Sequence, residues 1–77
     1  MTPTTPPVNL DSTTLAAAEY DDRQGHLQLD FRDGSHYTHF GVAPELYHNL
    51  LRAASQGLFF NRYIRGRFPY AKLVAKN

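Results

Sequence analysis

Residues His26-Leu27-Gln28-Leu29-Asp30-Phe31 alternate polar and apolar side chains at strict period two, and Asp33-Gly34 follows almost at once. The alternation puts Leu27, Leu29 and Phe31 on one face of a strand, and Asp-Gly is a strong hairpin dipeptide because glycine supplies the positive φ that tight turns need. A chain with this feature folds around an antiparallel hairpin with one buried face. Residues 35–40 form the returning strand, and two registers are open. A two-residue Asp33-Gly34 loop pairs Phe31 with His36 and turns Tyr37 and His39 outward. A three-residue Arg32-Asp33-Gly34 loop with a glycine bulge pairs Phe31 with Ser35 and Leu29 with Tyr37, placing Tyr37 over the core and His36 in water. The second is favoured, because burying a tyrosine body beside Phe31 desolvates less polarity than burying a histidine.

The remaining elements follow from local signals. Residues 15–20 read as a preceding strand, joined to the hairpin by a turn at residues 21–25. Pro44 suits a first helical position, Glu45 suits the first turn, and Tyr47, Leu50, Leu51 and Ala54 recur at helical spacing. Ser55 is an N-cap for a second helix carrying Leu58, Phe59, Phe60, Tyr63 and Ile64, and Gly66 supplies its left-handed stop. Pro69 bars further helix, so residues 67–70 leave as an extended segment. The expected fold is α+β: a three-stranded antiparallel meander with two helices covering one face, in the order β-β-β-α-α. Three of the five prolines lie at positions 3, 6 and 7, so residues 1–11 are expected to form a disordered tail. A single domain then spans residues 12–73, with a flexible terminus at 74–77.

With 77 residues the chain holds one small core, and it has no cysteine. That excludes disulfide staples, thiolate nucleophiles and thiolate metal sites. No apolar run approaches the ~20 residues of a membrane span, and the first ten residues lack the basic start and apolar centre of a secretion signal, so a cytoplasmic protein is expected.

Net charge is +1, but the two parts of the chain differ sharply. Residues 1–51 carry two arginines against seven acidic residues, a formal −5, whereas residues 52–77 carry Arg52, Arg62, Arg65, Arg67, Lys72 and Lys76 with no acid, a formal +6. Such asymmetry points to an anionic partner. Between Arg62 and Lys72 the basic residues interleave with Tyr63, Phe68 and Tyr70 around Gly66. This composition suits a nucleic acid: guanidiniums pair with phosphates and aromatic faces stack unpaired bases. The candidate binding residues are therefore Arg62, Arg65, Arg67, Tyr70 and Lys72. The competing reading makes Tyr63, Ile64, Phe68 and Tyr70 core residues and pairs the arginines with the acidic hairpin turns.

Three stretches also carry a family resemblance: Gly41-Val42-Ala43-Pro44-Glu45-Leu46-Tyr47, Ser55-Gln56-Gly57-Leu58-Phe59-Phe60-Asn61 and Ile64-Arg65-Gly66-Arg67-Phe68-Pro69-Tyr70. With Tyr20-Asp21 and Phe31-Arg32-Asp33-Gly34 they resemble the KTSC domain, a short bacterial domain that occurs alone and at the C-terminus of some lysyl-tRNA synthetases. The resemblance runs from about Ser12 to Leu73 and implies a stand-alone member. Attachment to a tRNA-charging enzyme implies RNA, whether tRNA or another single strand, as partner. The family usually shows Tyr-x-Tyr in the third strand; here the sequence is Tyr37-Thr38-His39, with an imidazole in place of the second phenol.

Catalysis is not expected. His26, His36, His39 and Asp30 could move protons, but no glycine-rich phosphate loop, nucleophile elbow or paired-carboxylate motif accompanies them. His36 and His39 lie three apart in a strand, hence on opposite faces, so they do not form a shared metal site. No cofactor or metal is expected, and neither helix has the character of a membrane-surface helix. The alternative to RNA is a protein-interaction module, with the same basic surface docking an acidic partner or a sheet edge accepting a strand.

Overall fold

The computed structural model describes residues 7–73. In chain order the elements are β1 (Val8–Asn9), β2 (Leu15–Asp21), β3 (His26–Phe31), β4 (His36–His39), α1 (Pro44–Arg52), α2 (Gln56–Phe59), a π-helical turn (Phe60–Ile64) and β5 (Tyr70–Leu73). The β3–β4 hairpin takes the three-residue loop: Leu29 pairs with Tyr37 and Leu27 with His39. Phe31 N donates to Ser35 O at 2.9 Å and Gly34 N to Phe31 O at 3.0 Å. Gly34 sits at φ +93°, and Asp33 Oδ1 accepts from both Ser35 N (2.9 Å) and Ser35 Oγ (2.6 Å), which ties the loop from inside. The two-residue loop is thereby excluded. His36 points to the opposite face, where its Nδ1 lies 2.7 Å from Asp30 Oδ1.

The sheet is larger than the three-stranded meander expected from sequence. It has five antiparallel strands in sequence order, one added at each edge. At one edge β5 pairs His39 with Tyr70 and Tyr37 with Lys72, and Phe40 N donates to Pro69 O at 2.9 Å. The extended segment expected over residues 67–70 becomes a strand only from Tyr70. Its pairing was not legible, because it depends on Gly66 turning the chain back to the open edge of β4. At the other edge β1 pairs Val8 with Ala18 and Asn9 with Ala17. Here the expected tail over residues 1–11 is corrected: Val8 and Asn9 belong to the sheet, and Leu10, only 4% exposed, belongs to the core. The prolines precede this segment, so the backbone donors of residues 8–10 remain available, and Leu10 N donates to Ala16 O at 2.9 Å. Arg32 anchors the same segment by donating to Leu10 O (2.8 Å) and Ser12 O (2.9 Å). Residues 1–6 and the terminus at 74–77 lie outside the described residues.

One sheet face packs against the helical segment. Leu15, Ala18, Tyr20, Leu27 and Leu29 meet Val42, Tyr47, Leu50, Phe60 and Ile64, all buried. Tyr20 and Tyr47 stack with centroids 4.8 Å apart, and the Tyr20 hydroxyl donates to Val42 O at 2.5 Å. Helix α1 starts with proline and carries Glu45 in its first turn and Arg52 in its last, each matched to the helix dipole. It ends at Ala53, whose backbone is extended, so Ala54 falls outside the helix and is exposed. Ser55 caps α2 as expected, its Oγ accepting from Leu58 N at 3.3 Å.

The second helix departs from expectation in its latter half. Arg65 N donates to Phe60 O at 2.8 Å, an i→i+5 bond, so the α-helix widens into a π turn. The wider turn keeps Phe60 and Ile64 inward while Tyr63 moves out to 46% exposure, its ring tilted at 43° to that of Phe59 with centroids 4.7 Å apart. Gly66 then reverses the chain at φ +74°. Among the described residues no helix is long and apolar enough to cross a membrane.

Two substitutions test this architecture. Leu10→Ala is expected to lower stability by about 2–5 kcal/mol in urea unfolding, and an unchanged midpoint would place Leu10 outside the core. Gly66→Ala meets no atom within 4 Å, so its cost is conformational alone and is expected to be about 1 kcal/mol.

Candidate functional site

The hairpin register determines what lies at the β4–β5 end of the covered face. Directly paired residues share a face, so Tyr37 and His39 of β4 lie beside Lys72 and Tyr70 of β5. The helical segment covers His39 but does not extend over β5. His39 is therefore 2% exposed and Tyr70 58%. Phe60, held inward by the π turn, closes the other side.

Five rings meet here. Phe31 contacts Tyr37 (5.5 Å between centroids) and Phe60 (5.3 Å), both near-perpendicular, and His39 contacts Phe60 at 5.6 Å. Tyr70 lies 5.6 Å from Tyr37 and 5.7 Å from His39. These rings line an open cleft of about 520 Å³, with Asp33 and Ser35 at the hairpin end and Asn61, Arg65 and Gly66 along the helical side.

The electrostatics of the cleft are uneven. Hydrogen bonds from Ser35, and then the nearby charge of Lys72, hold the Asp33 carboxyl below its ordinary range, so it is anionic at neutral pH. Lys72 Nζ lies 5.8 Å from the Tyr37 ring centre. Burial lowers the pKa of His39 and so favours the neutral imidazole, an effect opposed by a hydrogen bond with the Leu27 backbone. His39 Nδ1 is one of three buried polar side-chain atoms without a partner among the described residues, with Tyr47 OH and Gln56 Oε1. An unpartnered buried nitrogen costs about 1–3 kcal/mol.

Of the five candidate residues named from sequence, Arg65 and Tyr70 line the cleft and Lys72 borders it over Tyr37. Arg62 and Arg67 are exposed on the same turn without lining it; Arg67 Nε donates to Arg62 O at 3.0 Å. Arg65 Nη1 reaches Asn61 Oδ1 at 3.4 Å. The expected alternative, arginines consumed by the acidic turns, is not what forms: among the described residues the sole ion pair joins His36 and Asp30. The aromatic residues split between the two readings, with Ile64 buried, Phe68 half-buried, and Tyr63 and Tyr70 exposed. The sequence reading did not name Phe31, Tyr37, His39 or Phe60 as site residues. The signal for two of them was present, since a register that turns Tyr37 inward also turns His39 inward.

Fold and cleft together define a small α+β domain whose antiparallel sheet, covered on one face, ends in an aromatic cleft bordered by basic side chains. The chain belongs to the KTSC domain family, whose sequence model matches residues 11–68. Strand β1 lies ahead of the matched segment. The fold is similar to that in the crystal structure of a KTSC domain protein from Yersinia pestis, with a TM-score of 0.86, 28% identity, and 92% of this chain and 99% of that one covered. The chain is 37% identical over 59 residues to a protein of Tsukamurella paurometabola, covering 77% of this chain and 88% of that protein. It is also 30% identical over 63 residues to a lysine–tRNA ligase of Nostoc punctiforme, of which the matched segment is 11%.

The burial of His39 predicts a pH dependence. The unfolded chain takes up a proton at the ordinary histidine value of 6.5, and the folded chain only at lower pH. Stability is then fully present above about 6.5 and falls as pH drops toward the lowered folded value. Urea unfolding at pH 7.5 and pH 5 is expected to show this loss, and His39→Tyr, the residue usual in the family, to reduce it. An equal loss in the variant would mean that the folded site accepts the charged ring.

Proposed function

We propose that this domain binds RNA without catalysis, with phosphates held by Arg62, Arg65, Arg67 and Lys72 and unpaired bases stacked at Tyr70. The observation that carries the reading is the state of the basic groups: they gather beside an exposed tyrosine, and none forms a close ion pair with a carboxylate among the described residues. Free guanidiniums next to an accessible ring are the two components of a single-strand site. Similarity to a segment of lysine–tRNA ligases supports the same direction, since those proteins act on a tRNA. An RNA ligand sets the place of action in the cytoplasm.

A second reading rests on β5, whose four residues are all exposed and whose outer edge pairs with no further strand among the described residues. Such an edge accepts a strand from a protein partner. Salt dependence separates the two readings.

Titrating the isotope-labelled chain with a short single-stranded RNA and with bulk tRNA is expected to shift amides from Arg62 to Lys72. Arg65→Gln with Arg67→Gln removes two phosphate contacts, and the slope of log K against log salt is expected to flatten by about 1.4 for a single strand. Absence of any shift at low salt would transfer the surface to the protein-docking reading.

A further inference from the structure

The cleft contains more chemistry than a generic single-strand surface requires. Its volume of about 520 Å³ falls within the ~300–1,000 Å³ of small-molecule sites. It is lined by one carboxylate, Asp33, and one guanidinium, Arg65. Asp33 is anomalous in a site for a polyanion, because its charge repels phosphate. Oδ1 is occupied by both bonds from Ser35, which leaves the two acceptor positions of Oδ2 without a side-chain partner among the described residues. That end therefore favours a group that carries no negative charge and presents hydrogen-bond donors.

We propose that the cleft is a nucleobase pocket selective for one unpaired guanine, which stacks on Tyr70, directs its N1–H and N2–H donors to Asp33 Oδ2, and leaves its phosphate to Arg65. This deepens the RNA-binding reading and rests on it for the source of the base.

Selectivity follows from the edges the bases present. Guanine alone offers two adjacent donors on its pairing edge. Adenine and cytosine place a ring lone pair beside their amine, and uracil flanks its one N–H with two carbonyls, so each sets an acceptor against the carboxylate. The floor agrees with a neutral occupant: His39 is buried and uncharged, with Nδ1 unpartnered, and the remaining walls are Phe31, Tyr37 and Phe60. The opposed placement of Asp33 and Arg65 orients the nucleotide, base toward the hairpin and phosphate toward the π turn.

The test uses the full chain and four ligands: hexauridylate carrying one central guanosine, the same strand with adenosine, the same strand with inosine, and free guanosine monophosphate. The guanosine strand is expected to bind about tenfold more tightly than the adenosine strand, with amide shifts at Ser35, Tyr37, His39 and Gly66. Inosine, lacking the N2 amine, is expected to fall between them. Asp33→Asn keeps an oxygen for Ser35 and is expected to abolish the preference; should it unfold, the comparison of guanosine with adenosine in the unaltered chain decides alone. Tyr70→Leu is expected to weaken both strands alike.

Equal affinities for guanosine and adenosine strands, with the salt slope still flattened by the two arginine substitutions, would overturn the pocket and leave RNA binding standing. Shifts at the cleft with guanosine monophosphate but with no strand would uphold the pocket and remove RNA as its source. No shift with any of the four would overturn both.

Discussion

The register of the β3–β4 hairpin is the constraint on which the rest of the structure depends. It is set by three residues, with Gly34 supplying the left-handed turn and Asp33 tied to Ser35. A slip of one residue would exchange the two faces of β4, sending Tyr37 and His39 to solvent and His36 and Thr38 against the core. The effect would propagate, because β5 is registered on β4 and Tyr70 and Lys72 share the face of their partners. A turn at one end of a strand thus governs which side chains reach the helical segment at the other.

Much of this was legible because it is local. Alternation in β3, the Asp33-Gly34 dipeptide, the Ser55 cap and the Gly66 reversal each act within a few residues, and the desolvation argument selected the observed register. The edge strands were not legible for the opposite reason. Pairing of Val8–Asn9 and Tyr70–Leu73 depends on open strand edges brought near by distant segments, and neither has an alternation of its own. The π turn escaped as well, since Phe60 and Ile64 satisfy an α-helical spacing too. At the site, Arg65 and Tyr70 could be named from the interleaving of basic and aromatic residues. Whether an arginine is neutralised is a tertiary property, and no spacing rule reports it.

The charge asymmetry of the chain takes a spatial meaning in the fold. The acidic residues of the first part are spread over turns and the uncovered face: Asp21 accepts bonds from Arg23 and Gln24, and Asp30 faces His36. Of the basic residues of the second part, Arg62, Arg65 and Arg67 lie in and just after the π turn and Lys72 lies on β5. Asp33 is the exception, an acid brought to the basic end by the same hairpin loop that sets the register. Its position there is a by-product of turn chemistry that places a fixed anion beside an aromatic floor.

The outermost position of β5 gives the cleft a thermodynamic character of its own. Among the described residues the strand has one neighbour, and its four residues are exposed, with no side chain in the buried core. Detaching it leaves the Tyr20–Tyr47 stack and the packing of Leu50 and Ile64 intact, so local opening requires far less free energy than global unfolding. Yet detachment removes Tyr70 and Lys72 together, taking apart one wall of the cleft. Apparent affinity is then scaled by the fraction of molecules with the strand docked, and a ligand that touches Tyr70 protects the amides of β5 from hydrogen exchange while leaving those of β2 and β3 nearly unchanged.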